Sequence, residues 1–148
     1  MTEVMFGQLA LGGAITFFSL TGAALMWWIL NEALLFMEAW LRRPPKPAKS
    51  LIVVLMAVLA TMAMMTFGVW LWAIIFVQML VFNSLEEAVY YSLVAYTTLG
   101  LGDVVVPQDQ RLLGGMTGAN GFLMFGLMTA MLTDTFRHVR RVQRNLRD

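Results

Sequence analysis

The sequence predicts an all-α membrane protein: three spanning helices plus a short helix that enters and leaves on one side. Three observations carry this. Hydrophobic residues make up 59% of the 148 and charged residues only 13%, far from the half-apolar, quarter-charged mixture of a soluble domain. Apolar runs cover residues 7–29, 51–82 and 112–133, each meeting the ~20 residues needed to cross a hydrocarbon core. Nine of the ten basic residues fall in two places. Arg42, Arg43, Lys46 and Lys49 lie in LRRPPKPAKS, and Arg137, Arg140, Arg141, Arg144 and Arg147 lie in the tail. Positive charge beside a span marks the cytoplasmic side.

The first element is an N-terminal helix over residues 1–41. Its flank MTEVMFGQ carries Glu3 and no basic residue, and the run is too long for a signal-peptide core, so a retained span is expected. A continuous helix over 7–41 would measure ~50 Å, longer than the core, so it tilts or projects. The basic linker 42–50 leads into the second span, 51–82. Were residues 85–103 a fourth full span, the tail arginines would emerge opposite the linker. A segment that turns back keeps both basic clusters inside and leaves the N-terminus and residues 83–111 outside.

Local signals agree. Ser84 followed by Glu87 is a capping box, so a helix begins near Leu85. No breaker intervenes before Gly100, and a helix over 85–97 measures ~18–21 Å, enough to reach mid-membrane but not to cross. The last span covers 111–137 and the basic tail 138–148.

The loop after the short helix reads TTLGLGD. Non-helical backbone at membrane depth survives only where protein encloses it or water lines it. A phosphate-binding loop would want a third glycine where Val105 stands, a basic residue and a preceding strand, and none is present. A plain turn explains the glycines but not the paired threonines or the capped helix before them. The third reading is a ring of carbonyl oxygens: alternating glycines relax the limits on φ, so successive carbonyls can turn the same way and replace a cation's hydration shell. The Thr98 hydroxyl would add a further ring at the inner end.

The stretch YYSLVAYTTLGLGD resembles the pore helix and selectivity filter of the potassium channel family, with Tyr90, Tyr91 and Ser92 at its aromatic-aromatic-serine positions. Thr98, Leu99, Gly100, Leu101, Gly102 and Asp103 fall at its filter positions, and the following Val-Pro is most similar to the second pore of two-pore-domain channels. The resemblance covers about residues 51–137: outer helix 51–82, pore helix 85–97, filter 98–103, inner helix 111–137. It implies a homotetramer around a central pore in the lipid bilayer, conducting potassium ions passively, with no other cofactor. Monovalent cations would bind at Thr98, Leu99, Gly100 and Leu101, and Thr97 with Tyr90, Tyr91 and Ser92 would support the filter. Leu101 replaces the usual filter tyrosine, so bracing is expected from packing alone. Val94 stands where an acidic partner for Asp103 is common. A sodium-permeable pore and a non-conducting scaffold are the alternatives.

Charge placement fits a cation pathway. Glu3, Glu86, Glu87, Asp103 and Asp109 face Arg111 on the outer side, and such a field gathers cations. Glu86 and Glu87 also suit a helix N-terminus through its dipole. In the last span Gly121 or Gly126 is a candidate gating hinge, although close helix packing explains glycine equally well. Asp134 is either an inner-mouth charge or a local partner of Arg137, and His138 stands in the tail without an evident partner. Absence of cysteine excludes disulfides and thiolate metal sites. No hydrolase or metalloprotease motif appears, so an enzyme is not expected. The basic tail reads as topology and lipid attraction rather than nucleic-acid binding. A cell-membrane protein with its N-terminus outside and C-terminus cytoplasmic is expected.

Overall fold

The computed structural model describes residues 2–37 and 47–144. Arg42, Arg43 and Lys46 of the linker and residues 145–148 of the tail lie outside the described residues. The chain forms α1 (Thr2–Phe36), α2 (Pro47–Gln78), α3 (Leu85–Tyr96), a 3-10 turn (Gln108–Gln110) and α4 (Arg111–Arg144). Three of these are long and apolar enough to cross a membrane: Thr2–Phe36, Leu51–Gln78 and Gln108–Arg141. Large apolar side chains such as Phe17, Phe18, Trp28, Leu59 and Phe122 point outward, the pattern of helices that face lipid on one side and each other on the other.

Several expected boundaries shift: α1 stops at Phe36 rather than 41, and α2 begins at Pro47, taking in the last four residues of the expected linker. The apolar run of the second span continues to Phe82, but the helix stops at Gln78. Val81 N–H donates to the Phe76 carbonyl and Leu80 N–H to the Val77 carbonyl, both at 3.0 Å, with Leu80 at φ 56°. That is a Schellman end with leucine in the left-handed place that glycine usually takes. The chain then folds back and buries Phe82 against Phe76 and Tyr91, at ring-centre distances of 5.8 and 5.1 Å. At the other end, α4 runs beyond Arg137 to Arg144. The first seven residues of the expected tail are therefore helical, because HVRRVQR contains no breaker.

α1 lies against both other spans. Gly12 abuts Met116 of α4 and Gly22 abuts Phe67 of α2, the close approach that small residues permit between membrane helices. Near one end, the Gln8 side-chain amide donates to the Asp109 carbonyl beside the 3-10 turn. Toward the other end, Leu30 and Leu34 pack with Val53 and Ala57 of α2 and with Leu132 and Val139 of α4. The start of α1 therefore shares an end with the loop after α3, while the start of α2 and the end of α4 share the opposite end. Lys49, Arg137, Arg140 and Arg141 stand together at that second end, as the parity of the charge clusters requires.

α3 is the wedge of the bundle. Tyr96, its last residue, is fully buried. Its hydroxyl touches Gly68 of α2 and lies 3.4 Å from the Ser19 hydroxyl of α1, and its carbonyl lies against Gly121 of α4. Gly121 is ten residues into α4, or about 15 Å at the standard rise. That is half of a ~30 Å core, so α3 ends at mid-membrane.

Candidate functional site

Both ends of α3 are fixed by hydrogen bonds, the first of them legible in its sequence. Ser84 has extended backbone, φ −130° and ψ 151°, and its Oγ accepts the Glu87 N–H at 3.1 Å. This is the serine half of the capping box; Glu86 and Glu87 occupy the first turn, where the helix dipole favours them. At the far end the Thr97 hydroxyl donates to the Leu93 carbonyl at 2.8 Å. Thr98 N–H donates to the Ala95 carbonyl and Leu99 N–H to the Val94 carbonyl, both at 3.0 Å. With Thr98 at φ 58°, α3 ends in a second Schellman motif. It closes at Tyr96 rather than Thr97, because Thr97 has ψ 0° and begins the turn.

The loop then alternates in handedness. φ is 58° at Thr98, 61° at Gly100 and 78° at Gly102, while Leu99 and Leu101 stay in the ordinary negative region. An extended chain of uniform handedness sends successive carbonyls to opposite sides. Reversing every second residue turns them toward one side, and glycine takes the reversed place without the steric cost a side chain meets. Among the described residues no backbone N–H donates to the carbonyls of 98–102. Oxygens so bared must meet water, an ion or another chain.

Asp103 ends the loop and is clamped. The Tyr90 hydroxyl donates to its Oδ2 at 2.5 Å, and its own N–H and that of Val104 also face the carboxylate. The Tyr90 bond, helped by these N–H groups, holds the Asp103 carboxyl below the ordinary carboxylate range. The same bond raises the Tyr90 hydroxyl above the usual phenol value. The sequence suggests a supporting role for Tyr90 but offers Asp103 no acidic partner, because Val94 stands at that position. The phenol thirteen residues earlier fills that role.

Behind the loop the supports differ in kind. The Tyr91 ring packs on Phe76 and Phe82, and its hydroxyl rests against the bare backbone of Gly114. Ser92 is buried, and its Oγ has no hydrogen-bond partner among the described residues. Gly114, Gly118 and Gly121 form a track on α4 that receives Tyr91, Ala95 and Tyr96 in turn. At Gly121 a Cβ would fall on the Tyr96 carbonyl, so the position demands glycine for packing. Around Gly126 nothing lies within 4 Å of an added Cβ. Asn120 is buried and makes no hydrogen bond with the described residues.

Glu86 and Glu87 sit at the start of α3, away from the carbonyl loop, whereas Asp134 sits near the opposite end of α4 with Arg141 and His138. Tyr96 was not singled out from the sequence, although a tyrosine ending the short helix inside an apolar bundle was the available signal. Residues 53–138, more than half of the chain, match a family model described as an ion channel. The match runs from α2 through the loop into the end of α4 and omits α1. No curated protein and no solved structure matches the chain.

Proposed function

Because the chain belongs to the ion-channel family whose model its residues 53–138 match, we propose that it is a homotetrameric, potassium-selective channel of the cell membrane. The observation that carries this reading is the alternation of positive φ at Thr98, Gly100 and Gly102 above a helix that stops at mid-membrane. One chain supplies only one wall of such a site. Leu99 and Leu101 are 62% and 59% exposed in the single chain, which for leucines beside a bared backbone calls for neighbours. Four copies around an axis bring the carbonyls of Thr98, Leu99, Gly100 and Leu101 into stacked rings. Each ring replaces water oxygens around a dehydrated potassium ion, and the Thr98 hydroxyls form the innermost ring.

The remaining parts have roles in the same reading. The C-terminal end of α3 carries partial negative charge and favours a cation at the inner side of the filter. Asp103, clamped by Tyr90, shapes the outer turn, and Glu86 and Glu87 add to an anionic mouth. On this topology the basic end is cytoplasmic and the N-terminus is outside. Gly126, with free space around it, is the hinge candidate the geometry favours; Gly121 is occupied in holding α3. Flux down a gradient is transport rather than catalysis. A sodium-permeable pore is the second reading, favoured by Leu101, which offers no hydroxyl to brace the filter.

Bi-ionic recordings in planar bilayers test the proposal. With potassium on one side and sodium on the other, a potassium filter gives a reversal potential close to the potassium limit. A reversal near zero identifies a non-selective cation pore, and a silent tetramer identifies a scaffold.

A further inference from the structure

At the basic end of the bundle α1 and α4 enclose a small polar pocket of about 150 Å³, lined by Trp27, Asn31 and Leu34 of α1 and by Asp134, His138 and Arg141 of α4, among others. A space of that size fits a small polar group and not a nucleotide. His138, one of the lining residues, has its Nε2 buried with no hydrogen-bond partner among the described residues, an arrangement that costs free energy unless a ligand supplies one. Depth identifies the source of such a ligand. Twenty residues of α4 from Leu112 carry it ~30 Å to Met131, the thickness of the hydrocarbon core. Asp134 and the residues after it therefore lie among lipid headgroups.

The charges of the lining identify the headgroup. Asp134 contributes one negative charge and Arg141 one positive, with Asn31 and His138 as polar neighbours. A purely anionic headgroup would meet Asp134 with repulsion, and a choline headgroup has no N–H for that carboxylate to accept. We propose that the pocket holds a phosphatidylethanolamine-type lipid. Its ammonium, with three N–H donors, pairs with Asp134, while its phosphate takes the Arg141 guanidinium fork, the Asn31 amide and the His138 Nε2–H. Trp27 and Leu34 form the apolar wall toward the glycerol and chains. The lipid thereby bridges α1, which lies outside the matched channel unit, to the inner end of α4.

Native mass spectrometry of the full chain in detergent, titrated with phosphatidylethanolamine, phosphatidylcholine or phosphatidylglycerol, tests this. Ethanolamine lipid should be retained about tenfold more strongly than choline lipid, the worth of one charge-assisted hydrogen bond. Asp134→Asn should bring the ethanolamine lipid down to the choline level. Arg141→Gln should weaken both, and Arg140→Gln, outside the pocket lining, should change neither. Asn31→Ala, expected to weaken both lipids, is the second variant should one at an α4 position lose the tetramer. Equal retention of ethanolamine and choline lipids in the unaltered chain overturns the proposal. Stronger retention of phosphatidylglycerol, raised further by Asp134→Asn, overturns it in favour of an anionic-lipid site. Displacement of the lipid by equimolar free phosphoethanolamine overturns the membrane source and points to a soluble phosphate compound.

Discussion

Asp103 shows how one side-chain pair decides the behaviour of the turn that follows the glycine loop. Its carboxylate is held below its ordinary range by the Tyr90 hydroxyl, so the bond's contribution is complete above the unfolded carboxylate's pKa and is lost as pH falls through the lower folded value. Tyr90 is raised, so its contribution is complete below the ordinary phenol pKa and fades as alkaline pH passes the folded value. The clamp therefore spans neutral pH. Tyr90→Phe should move the Asp103 titration upward in carboxylate NMR, and current should fail at a higher external pH than in the unaltered protein. The alternating backbone of TTLGLGD was legible because paired glycines have few uses at membrane depth, whereas the clamp was not, since it depends on a turn that brings residue 103 back over residue 90. The two hinge candidates separate by packing. Gly121→Ala drives a methyl into the Tyr96 carbonyl, which cannot rotate away, and should lower thermal stability by about 1–3 kcal/mol. Gly126→Ala meets open space and should leave stability unchanged or raise it by up to ~1 kcal/mol through helix propensity.

At the scale of elements, α3 is the segment that local rules define best. Ser84 begins it and Thr97 ends it, each by a hydrogen bond that its residue type exists to make. Ser84→Ala should cost about 1 kcal/mol of stability, read as a lower unfolding temperature in detergent without loss of helix content. The end of α2 was misplaced by four residues, because hydrophobicity continues through MLVF while hydrogen bonding does not. Leu80 holds a left-handed place at φ 56° with 87% of its surface exposed, so glycine there removes strain and little packing. Leu80→Gly should be neutral or stabilising by up to ~1 kcal/mol, and Leu80→Val, branched at Cβ, destabilising by a similar amount. The length of α4 was misjudged for the opposite reason. Its arginines were read as tail because they are charged, yet charge does not stop a helix.

For the whole molecule, charge parity alone placed both basic clusters at one end, and the packing of Gln8 by Asp109 and of Leu34 by Val53 and Val139 has the same sense. What apolar composition could not reveal is where α1 docks. Runs of leucine, alanine and glycine fit lipid and helix alike, and it is contacts such as those of Gly12, Ser19 and Gly22 that place it against α4, α3 and α2. Through Ser19 and Tyr96 this outlying span touches the helix that carries the glycine loop. The exposed leucines of the loop call for partner chains, so the purified protein should run as four copies in detergent by mass measurement. The central claim, that the backbone of 98–102 conducts monovalent cations, is tested most directly by flux from proteoliposomes under a potassium gradient. Potassium efflux well above empty vesicles, abolished by Gly100→Ala in an otherwise intact tetramer, is the expected result. Efflux that persists unchanged in Gly100→Ala, or that is absent from the unaltered tetramer, would contradict it.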